Sequence, residues 1–350
     1  MKKFINIFRP AIKRKDLENV LDSMMQDRID YGDYARNFEE RLSNRIKCHN
    51  IVVINSYFNA IWLILEALEV NEGDEVILPS FAPQIYLNVI LLKKAKPVLV
   101  DLDRNYLIPS LEGIQNSITD KTKVLILYNY FGYKYDLKSF YELFPNIIED
   151  VSSIIGANKE FGNIKLNSKY AVCDFSVKSL ITTGEGAAIF CNEKKQYKKL
   201  FSLLEINYDL EYYPRFSCLM PDLNAAMGIS QDKSLNHRLG LRKQIGKIYE
   251  EAVKKSRGTF LIQEEDTERI FSDFPIIIKS SLKEAIKYFK KKDVEIIRPF
   301  AYTLHHYLNL DKKLFPNTEH YYLNTLLLPI YSILNKKDVD LIYKIISSLI

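Results

Sequence analysis

The chain contains few cysteines and no long apolar run, and both absences limit what it can be. Four of its 350 residues are cysteines, at positions 48, 173, 191 and 218, and no pair has CxxC spacing. So few and so widely spaced cysteines exclude a disulfide-stapled fold and favour a reducing, cytoplasmic compartment. No stretch approaches the roughly 18 consecutive apolar residues of a membrane span, so no membrane partner is expected.

A strong excess of charge of one sign is also missing. Lys and Arg number 49 against 44 Asp and Glu, which gives a net charge of +5 at pH 7. No compact basic stripe accompanies this small excess, so nucleic acid is not an expected partner. The five histidines lack zinc-ligand spacing. The adjacent pair His305 and His306 is expected to point in different directions, so no metal site is predicted.

Apolar strands alternate with amphipathic helices over the first half of the chain. Strands are predicted at 51–54, 75–78, 97–100, 123–127, 146–148, 170–175 and 187–191. Continuous apolar strands separated by helices are typical of an α/β fold, in which a mostly parallel sheet is covered by helices.

The second half of the chain has a different pattern. A long helix is predicted at 222–255, followed by a compact α+β unit with strands at 260–263, 274–278 and 295–298. We therefore expect two domains. Residues 1–240 would form a large α/β domain with N-terminal helices, and residues 241–350 a smaller α+β domain.

Polar and aromatic side chains follow several of the predicted strands. In α/β sheets, ligands bind at the carboxyl ends of the strands, which makes these positions candidates for a site. They include Tyr57, Tyr128, Asn129, Glu149, Asp150, Ser176, Lys178 and the run 182–186. An acid at a strand end is also a common helix cap, so this pattern alone leaves the chemistry open. No GxGxxG follows the first strand, which disfavours a dinucleotide-binding oxidoreductase.

Seven segments resemble the DegT-type sugar aminotransferase family over nearly the whole length. They are Gly32 with Phe38-Glu39, NEGDEVILPSF at 71–81, KPVLVDLD at 96–103, IIEDVSSIIGA at 147–157, TTGEGAAIF at 182–190, MPDLNAAMG at 220–228 and LLLPIY at 326–331. The resemblance implies the aspartate-aminotransferase fold (fold type I), pyridoxal phosphate as cofactor and a nucleotide sugar as substrate. It also implies a homodimer whose active site is built at the subunit interface.

In this family a lysine forms a Schiff base with pyridoxal phosphate, and an aspartate pairs with its pyridine nitrogen. Asp150 matches the aspartate. Lys178 is the candidate lysine, but the spacing back from Gly184 puts Ser179 in the lysine position and Asp174 in the position of a serine. Matching Phe-Ser instead puts Ser176 in the serine position, beside the phosphate.

Other positions of the family's cofactor site carry different residues in this chain. The sequence has Tyr57-Phe58 in place of a phosphate-binding Gly-Thr pair, Pro83 in place of a stacking aromatic, Ser153 in place of Gln, and Ser217 with Leu219 in place of an Asn and an Arg. Glycine at a helix start lets backbone N–H groups approach an anion, whereas the rings of Tyr and Phe would fill that space.

These departures leave two hypotheses open. In the first, the cofactor site is remodelled and the chain is a pseudoenzyme, a partner subunit or a sugar-binding protein that works without pyridoxal phosphate. Its aromatic residues Tyr57, Phe58, Tyr86 and Tyr128 would then line a pocket near Asp150, and a heterodimer with an intact paralogue would be an alternative to the homodimer. In the second, the chain is an active aminotransferase that converts a keto-sugar nucleotide to an amino sugar with Lys178.

Overall fold

The computed structural model describes residues 4–26, 29–156, 166–204, 214–262 and 269–349. Within these residues, seven strands form one sheet. They are β1 (Asn50–Ile54), β2 (Glu75–Pro79), β3 (Lys96–Val100), β4 (Thr122–Tyr128), β5 (Ile147–Asp150), β6 (Tyr170–Asp174) and β7 (Ala187–Cys191). The order across the sheet is β1-β7-β6-β5-β4-β2-β3. All neighbours are parallel except that β7 runs antiparallel to β1 and β6. The predicted α/β class with a mostly parallel sheet is confirmed.

Helices connect these strands and cover both faces of the sheet. They are α1 (Arg14–Met24), α2 (Asp33–Ile46), α3 (Tyr57–Ala67), α4 (Gln84–Leu92), α5 (Leu111–Ser117), α6 (Lys138–Leu143), α7 (Lys194–Ser202) and α8 (Asp222–Lys255). Val52 and Ile54 of β1 pack with α3 and α4 on one face, whereas Ile51 and Val53 pack with α2 and α8 on the other. Alternate residues of a strand point to opposite faces, so β1 is apolar throughout because both of its faces are buried.

A three-stranded antiparallel sheet forms the core of the C-terminal part. Its strands are β8 (Thr259–Leu261), β9 (Phe274–Ile278) and β10 (Thr325–Leu328), in the order β10-β9-β8. The accompanying helices are α9 (Leu282–Lys291), α10 (Leu304–Tyr307), α11 (Pro316–Asn324) and α12 (Lys336–Ser347).

The strand predicted at 295–298 is wrong. That segment makes one isolated bridge, between Ile297 and Leu327, and Val294 just before the segment makes another with Ile5. Pro299 follows directly and has no N–H to extend a ladder. The sheet is completed instead by β10, which overlaps the segment that resembled the family's C-terminal motif.

The long helix predicted at 222–255 is confirmed as α8, which runs without a break through residue 240. Leu235 and Leu239 pack in the core of the large sheet, and Ile245 and Tyr249 pack in the core of the small one. One rigid helix therefore contributes to both cores, and the division of the chain at residue 240 stays a proposal.

Glu39 of α2 ties this helix to the sheet. Its carboxylate accepts the backbone N–H of Val53 at 3.0 Å and the hydroxyl of Tyr31 at 3.1 Å. Burial raises the pKa of Glu39 from its usual 4.5 to about 7, against the opposing effect of these hydrogen bonds. The junction of α2 and β1 therefore contains a carboxyl group that titrates near neutral pH.

Cys48, Cys173, Cys191 and Cys218 are all buried and carry free thiols. Across the part of the chain that the structure describes, every helix is too short or too polar to cross a membrane.

Candidate functional site

Asp150, the last residue of β5, is the centre of a buried hydrogen-bond cluster. The residue is 1% exposed. Its Oδ2 accepts the hydroxyls of Tyr57 and Tyr86, the latter at 2.6 Å, and its Oδ1 accepts the backbone N–H of Ser152 at 2.9 Å. Burial raises the pKa of Asp150, and these hydrogen bonds oppose the shift. Both carboxylate oxygens are thus engaged by donors of the same chain.

Helices α3 and α4 bring the two tyrosines to this carboxylate. Tyr57 opens α3 directly after β1, where the side chain of Ser56 caps the helix by accepting the N–H of Asn59. Tyr86 lies in the first turn of α4, and the two phenol oxygens are 2.7 Å apart. Burial and the nearby charge of Asp150 raise the pKa of both phenols well above the usual value, so both remain protonated donors.

Glu149 points to the other face of the sheet, as alternation along a strand requires. Its carboxylate accepts the hydroxyl of Tyr141 at 2.7 Å and the side-chain amide of Asn129 at 3.1 Å. The same amide donates to the carbonyl of Asp150 at 2.7 Å. Burial raises the pKa of Glu149. Asn129 and Glu149 therefore lock the end of β5 to the end of β4.

Asp174, the last residue of β6, forms a second anionic centre. Its carboxylate accepts the N–H of Ser176 at 2.9 Å, the hydroxyl of Ser176 at 2.6 Å and the hydroxyl of Ser179 at 2.7 Å. Its own N–H donates to the hydroxyl of Ser152 at 2.9 Å. Two of the predicted cofactor-site serines thus donate to a carboxylate of this chain.

Asp150 and Asp174 line one cavity of about 310 Å³ at the carboxyl end of the sheet. Tyr57, Pro83 and Glu185 also line it, and none of its described lining residues is basic. Burial, and then the charge of Asp174, raise the pKa of Glu185. Three carboxyl groups, with no basic residue among the described lining, make this cavity more favourable for a neutral or cationic group than for an anion.

Lys178 lies in a neighbouring cavity of about 240 Å³ rather than in that of Asp150. Its side chain is exposed. The two cavities share Tyr128, Ser152 and Asp174 along their common wall. The predicted lysine and the predicted aspartate are therefore neighbours that face different spaces.

Phe58, Ser153 and Ser217 lie away from the cavity of Asp150. The ring of Phe58 stacks on Trp62 with centroids 6.0 Å apart. Consecutive helical residues point about 100° apart, so Phe58 points away from the cavity that Tyr57 lines. Ser153 donates to the carbonyl of Asn129 at 2.8 Å and lines the cavity of Lys178. Ser217 is exposed and lines neither cavity.

The sequence analysis did not identify two charged residues that lie beside Lys178. Arg242 of α8 donates to the carbonyl of Ser272 at 2.7 Å, and Asp273 lies just before β9. Burial raises the pKa of Asp273, and the charges of Arg242 and Lys178 oppose that shift. Only the packing of the small sheet against α8 brings these residues to the cavity of Lys178, so no local sequence pattern could have indicated them.

The two adjacent histidines converge, contrary to the expectation from their spacing. His305 Nε2 and His306 Nε2 lie 3.0 and 2.9 Å from the same atom, Glu319 Oε1. They belong to α10, a single turn of four residues, and their ring centroids are 4.4 Å apart. Neighbouring side chains of one turn can meet a group that arrives between them from another helix, here α11.

Comparison with known proteins identifies the family of this chain. The profile of the DegT/DnrJ/EryC1/StrS aminotransferase family matches residues 10–347. The chain belongs to this family. The uncharacterized protein MJ1066 of Methanocaldococcus jannaschii is 28% identical, over 96% of this chain and 95% of its own. GDP-perosamine synthase of Escherichia coli O157:H7 is 25% identical over 72% of each chain.

Solved structures agree with the fold of this DegT-family chain. The aminotransferase TlmJ from Streptoalloteichus hindustanus superposes with a TM-score of 0.90 at 20% identity, covering 99% of this chain and 98% of its own. The expected membership and the expected aspartate-aminotransferase-like fold are therefore confirmed. In this fold, Asp150 ends a central parallel strand at the edge where the ligands of α/β proteins bind.

Proposed function

We propose that this DegT-family chain is a nucleotide-sugar-binding protein that does not perform ordinary transamination. The observation that carries the proposal is the hydrogen bonding of Asp150, whose Oδ2 accepts both Tyr57 and Tyr86. A pyridine nitrogen would need this same oxygen. Two phenols already donate the hydrogen bonds that the protonated ring of pyridoxal phosphate would donate. The hydrogen-bonding needs of Asp150 are therefore met by side chains of this protein.

The phosphate end of the cofactor fits no better. A phosphate dianion in the 310 Å³ cavity would face the carboxyl groups of Asp150, Asp174 and Glu185 without a basic residue among the described lining. The hydroxyls of Ser176 and Ser179 donate to Asp174 and are not free for an anion. The residues of this chain therefore do not fit pyridoxal phosphate, and we derive no reaction step through it.

A nucleotide sugar suits the cavity of Lys178. Lys178 and the buried Arg242 place positive charge there, beside the carboxyl groups of Asp174 and Asp273, and Phe300 and Tyr128 provide aromatic walls. Cations pair with a diphosphate, and aromatic rings stack on a base. GDP-perosamine synthase is named for a GDP-linked sugar, which supports this ligand class. Four buried free thiols fit the cytoplasmic location that we propose for the protein.

The first experiment is an absorption spectrum of the purified protein after incubation with pyridoxal phosphate, followed by borohydride reduction and peptide mapping. We expect no visible band of lysine-bound cofactor and no specific label on the peptide that contains Lys178. The matched control is Lys178→Ala, which should show the same background labelling as the wild type. A band that is trapped on Lys178 and lost in Lys178→Ala would overturn the proposal.

Ligand binding is tested on the same protein by calorimetric titration with GDP- and UDP-linked hexoses. We expect saturable binding that weakens about tenfold in Lys178→Ala, because the variant loses one charge-assisted contact to phosphate. Lys195→Ala, on α7, is the control and should bind like the wild type. If neither the GDP-linked nor the UDP-linked hexoses bind, the proposed ligand is contradicted.

One observation favours a second candidate function, an active aminotransferase that uses Lys178. The cavities of Lys178 and Asp150 share Tyr128, Ser152 and Asp174, so a rebuilt loop could join them. The cofactor experiment separates the two candidates, since only this second function requires a borohydride-stable label on Lys178.

Helix α1 supports a homodimer as part of the proposal. Its polar residues Asp16 and Ser23 are buried, whereas Leu17, Leu21 and Met24 are each more than half exposed. These three lie at positions i, i+4 and i+7 and share one face of the helix. A helix that turns its apolar face outward is accounted for when a second copy, or an intact paralogue, covers that face.

Leu21→Asp is expected to shift the protein from dimer to monomer in sedimentation velocity, because a carboxylate would be buried in the apolar contact. Leu314→Asp is the matched control, since Leu314 is 66% exposed and lies outside α1. We expect no change in its sedimentation. A wild-type chain that sediments as a monomer would argue against the dimer.

A further inference from the structure

Two histidines and a glutamate form a cluster that the proposed function does not use. One ligand atom from each of His305, His306 and Glu319 lies within 4.8 Å of the other two. We propose that this cluster binds one divalent cation of the zinc type through His305 Nε2, His306 Nε2 and Glu319 Oε1. The inference stands on this cluster alone and is independent of the proposed sugar ligand.

The two separations that involve the glutamate oxygen are close to those around a tetrahedral ion. Glu319 Oε1 lies 3.0 Å from His305 Nε2 and 2.9 Å from His306 Nε2. Bonds of about 2.0–2.1 Å in a tetrahedron separate two ligand atoms by roughly 3.3 Å, so the glutamate oxygen would move a few tenths of an ångström away from each nitrogen to admit the ion. His306 Nε2 is buried and has no aligned hydrogen bond. A metal–nitrogen bond would satisfy this atom.

Hydroxyl groups hold the other nitrogen of each ring. His305 Nδ1 lies 2.7 Å from Ser80 Oγ, and His306 Nδ1 lies 3.0 Å from Thr303 Oγ1. Thr303 Oγ1 also lies near His305, 3.2 Å from Nδ1 and 3.3 Å from Nε2. With the proton on each Nδ1, the hydroxyls accept it and both Nε2 lone pairs face the glutamate. Metal-binding histidines are typically oriented by such a partner at the second nitrogen.

The backbone around the cluster is fixed by strand ends of the large sheet. Ser80, just after β2, accepts the N–H of Leu304 on its carbonyl at 2.9 Å and the N–H of His305 on its hydroxyl at 3.1 Å. Asp101, just after β3, accepts the N–H groups of Asn317 and Thr318 at 3.0 and 2.7 Å. These bonds set α10 and α11 before any ion binds, which lowers the cost of assembling the ligands.

The fourth position of the ion would face an open cavity. His306 lines a space of about 520 Å³ together with Tyr302, Tyr307, Lys312 and Tyr322. Two histidines and one glutamate with an open fourth position are a known zinc ligand set in proteins. Water or an oxygen of a small ligand can therefore complete the coordination from this cavity.

Zinc and cobalt titrations of the full chain, without a histidine tag and after chelator treatment, test the site. We expect one Zn²⁺ per chain in competition with a chromophoric chelator, and visible d–d bands of tetrahedral Co²⁺ that Zn²⁺ abolishes. His306→Gln should weaken Zn²⁺ binding at least 100-fold and remove the Co²⁺ bands. His320→Gln removes an exposed histidine of α11 outside the cluster and should behave like the wild type.

Far-ultraviolet circular dichroism establishes that His306→Gln is folded. Thr303→Val provides a second variant that keeps all three ligands and removes only a hydroxyl partner. It should weaken Zn²⁺ binding about 10-fold or more, in the range found for such partners. Equal Zn²⁺ affinity in wild type and a folded His306→Gln, or a wild type without Co²⁺ bands, would overturn the proposal.

Discussion

Replacing Asp150 by alanine is expected to lower the free energy of unfolding of the cofactor-free protein by about 3–5 kcal/mol. The substitution leaves three donors without an acceptor, the buried hydroxyls of Tyr57 and Tyr86 and the part-buried N–H of Ser152. Each buried, unpaired donor costs about 1–3 kcal/mol, and the two phenols, 2.7 Å apart, can partly pair with each other. Urea denaturation followed by circular dichroism measures the loss.

Asp150→Asn is the matched control for this prediction. Its amide oxygen can still accept the N–H of Ser152, and its amide group can still pair with the phenols, so we expect a loss of about 1 kcal/mol or less. A stability of Asp150→Ala within about 1 kcal/mol of the wild type would sink the idea of a structural centre. It would indicate that the carboxylate is kept free for a ligand instead.

Glu39, one of several carboxyl groups with a raised pKa, is expected to lower the stability of the chain as the pH rises from 4.5 to 7. Its pKa is about 7 in the folded protein and 4.5 in the usual, unfolded state, so the folded state holds the proton more tightly. A group with a raised pKa contributes its stability fully below pH 4.5 and loses it as the pH rises through 7. The upper limit of this loss is about 3 kcal/mol.

Glu39→Gln should remove the part of the pH dependence that Glu39 contributes. The glutamine is uncharged, and it can still accept the N–H of Val53 and pair with the hydroxyl of Tyr31. We therefore expect a variant that matches the wild type near pH 4 and exceeds its stability by about 1–3 kcal/mol at pH 8. Glu40→Gln, at the exposed neighbouring position, is the control and should follow the wild-type curve. Parallel curves for wild type and Glu39→Gln would contradict the assignment.

The sequence carried enough information for the sheet and for the place of Asp150. Its strands are continuous apolar runs because both faces are covered, and such runs are visible without a structure. The resemblance at 147–157 then located the carboxylate at the end of β5. By contrast, the bond from Tyr86 to Asp150 joins residues 64 positions apart. It depends on how α4 packs over the sheet, and no local pattern encodes that.

The directions expected for the side chains of His305 and His306 were wrong for a related reason. Spacing rules describe the directions of side chains on a regular element, and α10 is one short turn. Its contact with Glu319 depends on α11, which Asp101 of another strand end holds in place. Clusters built from three segments of the chain become visible only when the tertiary structure is known.

Trp62 gives this protein an optical reporter of its own. It is the single tryptophan of the chain, and it stacks on Phe58 while the amino group of Lys93 lies 5.1 Å from its ring centre. Phe58 follows Tyr57, whose hydroxyl reaches Asp150. Emission excited selectively at the indole therefore comes from the opening turns of α3. A ligand that displaces Tyr57 would change the emission wavelength or the lifetime of that fluorescence, and no label has to be introduced.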